Sequence, residues 1–280
     1  MLFNCNLDKN AVAVNNSVYD HITYDGLSGL YKLKGECNMT IFYFTGTGNS
    51  LFAARKIAES TGANLISIPQ VIHEQKSYTD DCIGFVYPQY ANGLPKMVRK
   101  FISGNTFEAD YFFAVNLWSF IHFKALGEIA SLLPLNYGVY LKTPMNFILL
   151  LNSPKNPINM MKKADKRLDG IINDINKRKE KHTRPKKGIG NATKYFGESK
   201  FMLMPSCIKC GTCAKVCPAN NIIVLNDMVT FENKCETCYA CVNLCPAHAI
   251  YSSKATLKRR QYRNPLVSTA EIAEANTRNE

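Results

Sequence analysis

Two segments of matching spacing, "CIKCGTCAKVCP" from Cys207 to Pro218 and "CETCYACVNLCP" from Cys235 to Pro246, constrain this chain more than any other feature. Each reads C-x2-C-x2-C-x3-C-P. Between them they hold eight of the eleven cysteines. The N-terminus lacks a charged start, a continuous apolar stretch and a small-residue cleavage site, so no export signal is read and a cytoplasmic protein is expected. In such a chain, clustered cysteines argue for metal rather than disulfides. The scattered Cys5, Cys37 and Cys82 are read as free thiols, Cys82 as a core residue on a strand.

Cysteine triplets followed by C-P form the bacterial iron–sulfur run, in which the fourth cysteine of each motif serves the other motif's cluster. On that pattern one cluster falls to Cys207, Cys210, Cys213 and Cys245, and the other to Cys235, Cys238, Cys241 and Cys217. Each half then closes the other's site. Four thiolates must converge on one cubane, within tight turns that aim backbone N–H groups at the sulfurs. Gly211, Ala214, Ala240, Pro218 and Pro246 suit such turns. A zinc site pairs two C-x2-C knuckles and has no use for triplets ending in C-P. Residues 201–256 resemble a bacterial ferredoxin with two [4Fe-4S] clusters, and "PANNI" and "PAHAI" resemble that family's P-x-x-A-I continuation. The resemblance implies a small α+β domain. His248 is read as a surface residue beside a cluster, not a ligand.

Upstream, short apolar runs alternate with helical ones, as in a parallel sheet covered by helices. Strands are expected at 40–44, 64–68, 82–87, 111–117 and 137–142, and helices at 50–61, 95–103 and 124–133. Only Pro69 to Asp80 separate the second and third strands, so that crossover should be short or irregular. Residues 160–181 form an amphipathic connecting helix with Leu168, Ile171, Ile172 and Ile175 on one face. The expected organisation is an Asn-rich extension (1–38), an α/β domain (39–159), a basic helical linker (160–200), the cysteine domain (201–256) and a basic tail (257–280). Lys34, Gly35 and Glu36 can be encoded by a purine run resembling a bacterial ribosome-binding site. Met39 is therefore one reading of the true start, and a native extension is the other.

"FTGTGNS", from Phe44 to Ser50, lies between a strand and a helix, where free N–H groups and the helix N-terminus meet an anion. A Walker loop needs lysine where Asn49 stands. A dinucleotide fingerprint needs glycine where Leu51 stands and an acid near Ile68, Pro69 and Gln70. What remains is a hydroxyl-rich nest for a phosphomonoester, built from Thr45, Gly46, Thr47, Gly48, Asn49 and Ser50.

The pattern [ST]-x-[ST]-G-x-[ST], filled by Thr45, Thr47 and Ser50, resembles the FMN-phosphate loop of flavodoxins. That resemblance implies a doubly wound five-stranded sheet of order 2-1-3-4-5 with FMN at the strands' carboxyl ends. "YPQYANGLP" would supply one clasp of the flavin through Tyr87, Pro88, Gln89 and Tyr90. The second clasp, "NLWSFIHFKAL", has no glycine before Gly127; there Trp118 either stacks on the flavin or, with Phe120 and Phe123, fills its pocket or forms a docking surface. Residues 39–280 as a whole resemble flavodoxin–ferredoxin fusion proteins of anaerobic bacteria and archaea. The tail "RRQYRNPLVSTAEIAEAN" resembles that family's R-x-x-x-x-P-x-V-x-x-x-x-I ending.

No Ser/His/Asp or paired-carboxylate arrangement stands out, and the five histidines follow no motif. The expected function is relay of low-potential electrons through two [4Fe-4S] clusters to or from FMN. The alternative is an FMN-dependent oxidoreductase acting on a small molecule, with the ferredoxin module as electron supply. The formal charge of +12 sits mainly in residues 162–187 and 254–263. Nucleic acid is disfavoured as its target, because no stacking aromatics are interleaved. Soluble redox proteins with acidic surfaces are the expected partners. No apolar run is longer than Phe147 to Leu151, far short of the roughly 20 residues of a membrane span.

Overall fold

The computed structural model describes residues 38–90, 93–120, 124–149, 151–186 and 201–277. The extension up to residue 37, Ile121 to Phe123 of the aromatic loop and residues 187–200 of the linker lie outside them. Five strands, β1 (Met39–Tyr43), β2 (Asn64–Ser67), β3 (Ser77–Pro88), β4 (Thr106–Trp118) and β5 (Tyr137–Lys142), form one sheet. All neighbours are parallel, in the order β2-β1-β3-β4-β5. This is the doubly wound flavodoxin-like arrangement expected from the sequence.

β1 reads as a near-continuous apolar run because a parallel sheet is covered on both faces, and four of its five residues are buried. Phe42 of β1 meets Phe85 of β3, with ring centroids 5.5 Å apart. β3 and β4 begin about five residues earlier than the apolar runs suggest. Their first halves, SYTDD and TFEAD, alternate between more and less exposed positions and pair as a half-solvated ribbon. Tyr78 and Phe107, in register, stack at 5.5 Å and hold it together.

The helices are α1 (Asn49–Thr61), α2 (Ile68–Val71), α3 (Lys96–Gly104), α4 (Ala125–Ile129) and α5 (Pro157–Asn176). The single turn of α2 is the short crossover between β2 and β3. α5 packs on α1 and β5, burying Leu168, Ile171, Ile172 and Ile175. Lys56 ties the two helices through Asp165 at 2.6 Å and Asp169 at 2.8 Å. α5 is thus an outer-layer helix of the sheet.

The cysteine domain contains two small antiparallel pairs. β6 (Met202–Leu203) pairs with β9 (Ile250–Tyr251), and β7 (Ile222–Leu225) with β8 (Met228–Phe231). Asn226 and Asp227 turn the second hairpin at φ 46° and 64°, the left-handed pair that a two-residue hairpin loop requires. One-turn helices α6 (Thr212–Lys215) and α7 (Ala240–Asn243) carry the third cysteine of each motif. After the single turn α8 (Lys254–Leu257), the tail runs back to the sheet domain and ends in α9 (Thr269–Asn276). There Ser67 Oγ donates to Ala275 O, and Gln70 Nε2 to Glu274 O at 3.0 Å. Asn276 Nδ2 donates to Val216 O at 3.0 Å, so α9 joins both domains. None of the helices described is long and apolar enough to cross a membrane.

Candidate functional site

The carboxyl ends of β1, β3, β4 and β5 open onto a cavity of about 310 Å³, within the range of small-molecule sites. Thr45, Gly46, Thr47, Asn49 and Ser50 form one end of it. Gly48 turns the loop into α1 at φ 97° and caps that helix without a side chain. The N–H groups of the first turn are thereby left for a ligand. Thr45, Thr47 and Ser50 are buried, and Thr45 Oγ1 accepts from Gly48 N at 3.1 Å. A Cβ on Gly48 would also meet Asn264 Cβ at 3.0 Å. Conformation and space both demand glycine there.

Asn49 behaves differently from its neighbours. Its Nδ2 donates to Pro144 O at 2.9 Å, and its Oδ1 accepts from Tyr262 Oη at 2.6 Å and Asn264 Nδ2 at 3.1 Å. At the position where a Walker loop carries lysine, this side chain is committed to the β5 loop and the tail. Its backbone N–H stays at the helix start.

Pro88, Gln89, Tyr90 and Trp118 line the cavity. Tyr87, expected beside them, does not. The strand alternation turns it inward, where it is fully buried and donates to Ala125 O at 3.2 Å. Tyr90 Oη is buried without a hydrogen-bond partner among the described residues, and it stands 3.0 Å from where a Gly46 Cβ would be. A polar group of a bound ligand would satisfy it. Trp118 and Phe120 line the space rather than fill it. Lys142 Nζ lies 5.3 Å from the Trp118 ring centroid, and Ser119 Oγ donates to Thr143 O at 2.9 Å. These contacts tie the glycine-free loop to β5.

Sequence reasoning missed the rest of the wall. Thr143 to Phe147, after β5, form one side, and Thr237 and Tyr239 of the second cysteine motif form another. A usable signal existed in the aligned motifs: Tyr239 stands where the first motif has Gly211. Both adopt left-handed backbone, which costs a residue with a Cβ roughly 1–2 kcal/mol. The motif is fixed against the sheet domain by Glu236 Oε2, which accepts from Met97 N at 2.9 Å. Asn146 Nδ2 also donates to Cys238 O at 3.4 Å.

The eight motif thiols fall into two environments. Cys207, Cys210, Cys213 and Cys245 wall one small pocket. Burial first, then the neighbouring Cys245, Cys207 and Cys210, push the Cys213 thiol up to about 11. Burial, then Cys217, raise Cys238 to about 12. Cys241 is raised well above the usual thiol range by burial and then by Cys238 and Cys217. The fourth cysteine of each motif thus stands among the triplet of the other. Cys210 is exposed, whereas Cys235, Cys238, Cys241 and Cys245 are buried. A hydrogen bond with Thr212 lowers Cys210.

Backbone N–H groups aim at the sulfurs as a cluster site requires. Asn221 N donates to Cys217 Sγ and Ala249 N to Cys245 Sγ, both at 3.3 Å and four residues on, and Thr237 N donates to Cys235 Sγ at 3.2 Å. Among the described residues no three His, Cys, Asp or Glu side chains gather closely enough for a single metal ion. A cubane takes its thiolates farther apart than one zinc ion, whose Zn–S bonds are about 2.3 Å. Two sets of four thiols, each with backbone N–H donation to its sulfurs, fit a cluster. Crowded, elevated thiols are also the groups from which metal binding releases protons.

Residues 206–250 match the family model of the 4Fe-4S dicluster domain, so this segment is an iron–sulfur domain of ferredoxin type. No curated protein matches the chain. The 1.40 Å crystal structure of a "putative flavoprotein" from Bacteroides eggerthii DSM 20697 is similar over 38% of this chain and 88% of that one, at 16% identity and a TM-score of 0.32.

Proposed function

We propose that this chain is an iron–sulfur electron-transfer protein that holds two [4Fe-4S] clusters and an FMN and relays low-potential electrons between soluble redox partners. In this reading Cys207, Cys210, Cys213 and Cys245 ligate one cluster, and Cys235, Cys238, Cys241 and Cys217 the other. Thr45, Thr47, Ser50 and the first-turn N–H groups of α1 hold the flavin phosphate. Pro88, Gln89, Tyr90 and Trp118 wall its ring. When bound, the flavin supplies exchange of one or two electrons and each cluster exchange of one.

One observation carries the reading: cavity and cysteine motif share a wall. Thr237 and Tyr239, on either side of Cys238, line the same space as Thr45 to Ser50. A redox group in that space abuts the residues on either side of Cys238 in the second thiol set. The burial difference between the thiol sets adds a direction. Cys210 is exposed and Cys207 half-buried, whereas Cys235, Cys238 and Cys241 are buried. The outer set faces soluble partners, and the chain's +12 charge suits partners with acidic surfaces.

Anaerobic purification with iron, sulfide and flavin quantification tests this. About eight irons, eight sulfides and one FMN per chain are expected for a two-cluster protein. Full iron without any bound or bindable flavin would leave a ferredoxin beside an empty scaffold. Stoichiometric NAD(P)H oxidation by the flavin-loaded protein would favour the small-molecule oxidoreductase instead.

A further inference from the structure

The two cysteine motifs repeat one backbone path. Lys209 and Thr237 match at φ 54° and 55°, and Asn220 and His248 at 46° and 48°. Gly211 and Tyr239 match at 74° and 56°, each starting the one-turn helix that carries the third cysteine. The thiol cage therefore imposes left-handed backbone at this position, and glycine meets that demand at no steric cost. A tyrosine there needs a separate reason.

The surroundings of the two positions differ. A Cβ on Gly211 would have nothing within 4 Å. Tyr239 is 5% exposed and forms part of the cavity wall. Its ring lies 5.4 Å from that of Phe147, another wall residue, and 6.2 Å from that of Phe201. The cage carries a large aromatic ring only where it faces the cavity. Aromatic side chains offer a flat, rigid surface suited to a planar ligand.

We propose that Tyr239 is a flavin-contacting residue supplied by the iron–sulfur module: its ring is the wall against which the flavin ring system packs. This rests on the FMN reading of the cavity and divides the labour within it. Thr45 to Ser50 recognise the phosphate, and Tyr239 recognises the ring.

The full chain, purified anaerobically with its iron in place, is freed of flavin and titrated with FMN while flavin fluorescence is followed. Tyr239→Gly is expected to retain native iron and sulfide, because Gly211 serves the same backbone position. Its FMN affinity should fall about tenfold, and its bound FMN should be less quenched. Tyr239→Phe should match the native chain in both. Native affinity and quenching in Tyr239→Gly would overturn the proposal, as would loss of iron, which would assign position 239 to the cage. A native chain that binds no FMN would remove the underlying reading and the proposal with it. An effect confined to the variant bears on Tyr239 alone.

Discussion

A Cβ on Gly46 would stand 2.9 Å from the carbonyl oxygen of Cys238 and 3.2 Å from that residue's Cβ. The phosphate loop and the second cysteine motif thus meet with only a glycine's clearance between them. Neighbouring contacts converge on the same seam: Met97 N on Glu236, Lys96 Nζ on Cys235 O and Asn146 Nδ2 on Cys238 O. The candidate flavin site is formed by two domains and is complete in neither alone.

Gly46→Ala should therefore destabilise the seam. Its neighbour is backbone that cannot swing aside, and forced overpacking of this kind costs about 1–3 kcal/mol. Anaerobic denaturant titration of the iron-loaded protein measures it. Gly104→Ala, where a Cβ would meet nothing within 4 Å, is the control and should lose no stability. Equal stability of both variants would mean that the two loops part in solution.

Glu236 caps a helix that belongs to the other domain. Pro95 precedes α3 and provides no capping side chain, so Met97 N depends on the Glu236 carboxylate. Glu236→Ala should cost about 0.5–2 kcal/mol, the usual loss of a helix N-cap. Amide exchange should accelerate in the first turn of α3 while the central strands keep their protection.

The tail braces the phosphate loop from outside. Asn264 N donates to Thr47 O at 2.8 Å, and Tyr262 Oη donates to Asn49 Oδ1 at 2.6 Å. Gln261 Nε2 meanwhile holds Val242 O at 2.7 Å and Cys245 O at 3.0 Å. Tyr262→Phe removes one hydrogen bond and leaves the ring packing in place. FMN affinity should weaken roughly 2- to 10-fold with iron content unchanged, as read by flavin titration and iron assay.

Local pattern made the sheet legible. The buried runs of β1, β3 and β4 and the crossover lengths point to five parallel strands, and the order β2-β1-β3-β4-β5 is the one that the flavodoxin resemblance implies. The bacterial iron–sulfur run that the cysteines match likewise pairs Cys245 with Cys207 to Cys213, thiols that wall one pocket. What the pattern did not record depends on contacts distant in the chain and on where strand alternation ends. Asn49 occupies a phosphate-loop position, yet its amide faces Tyr262 and Asn264, and no local pattern records that. Tyr87 and Tyr90 looked equivalent in "YPQY", but strand alternation buries the first and leaves the second beside the cavity. The aromatic run after β4 leaves stacking, pocket filling and docking all open, because sequence shows bulk but not the direction in which Trp118 points.

Crossed ligation predicts which cluster each fourth cysteine controls. Cys217→Ser should lose the cluster of Cys235, Cys238 and Cys241 although Cys217 belongs to the first motif, and Cys245→Ser should lose that of Cys207, Cys210 and Cys213. Each variant should fall from about eight irons to about four, with a different cluster surviving by electron paramagnetic resonance. Loss of the cluster of its own motif in either variant would contradict the assignment.

The central claim is that one cavity wall joins a flavin site to the second cluster site. An anaerobic crystal structure of the cofactor-loaded chain, with iron located by anomalous scattering, measures this directly. The account predicts FMN between Thr45 to Ser50 and Tyr239, with the cluster held by Cys217, Cys235, Cys238 and Cys241 nearer to it than the other. A cavity without flavin, or a flavin closer to the cluster of Cys207, Cys210, Cys213 and Cys245, would contradict it.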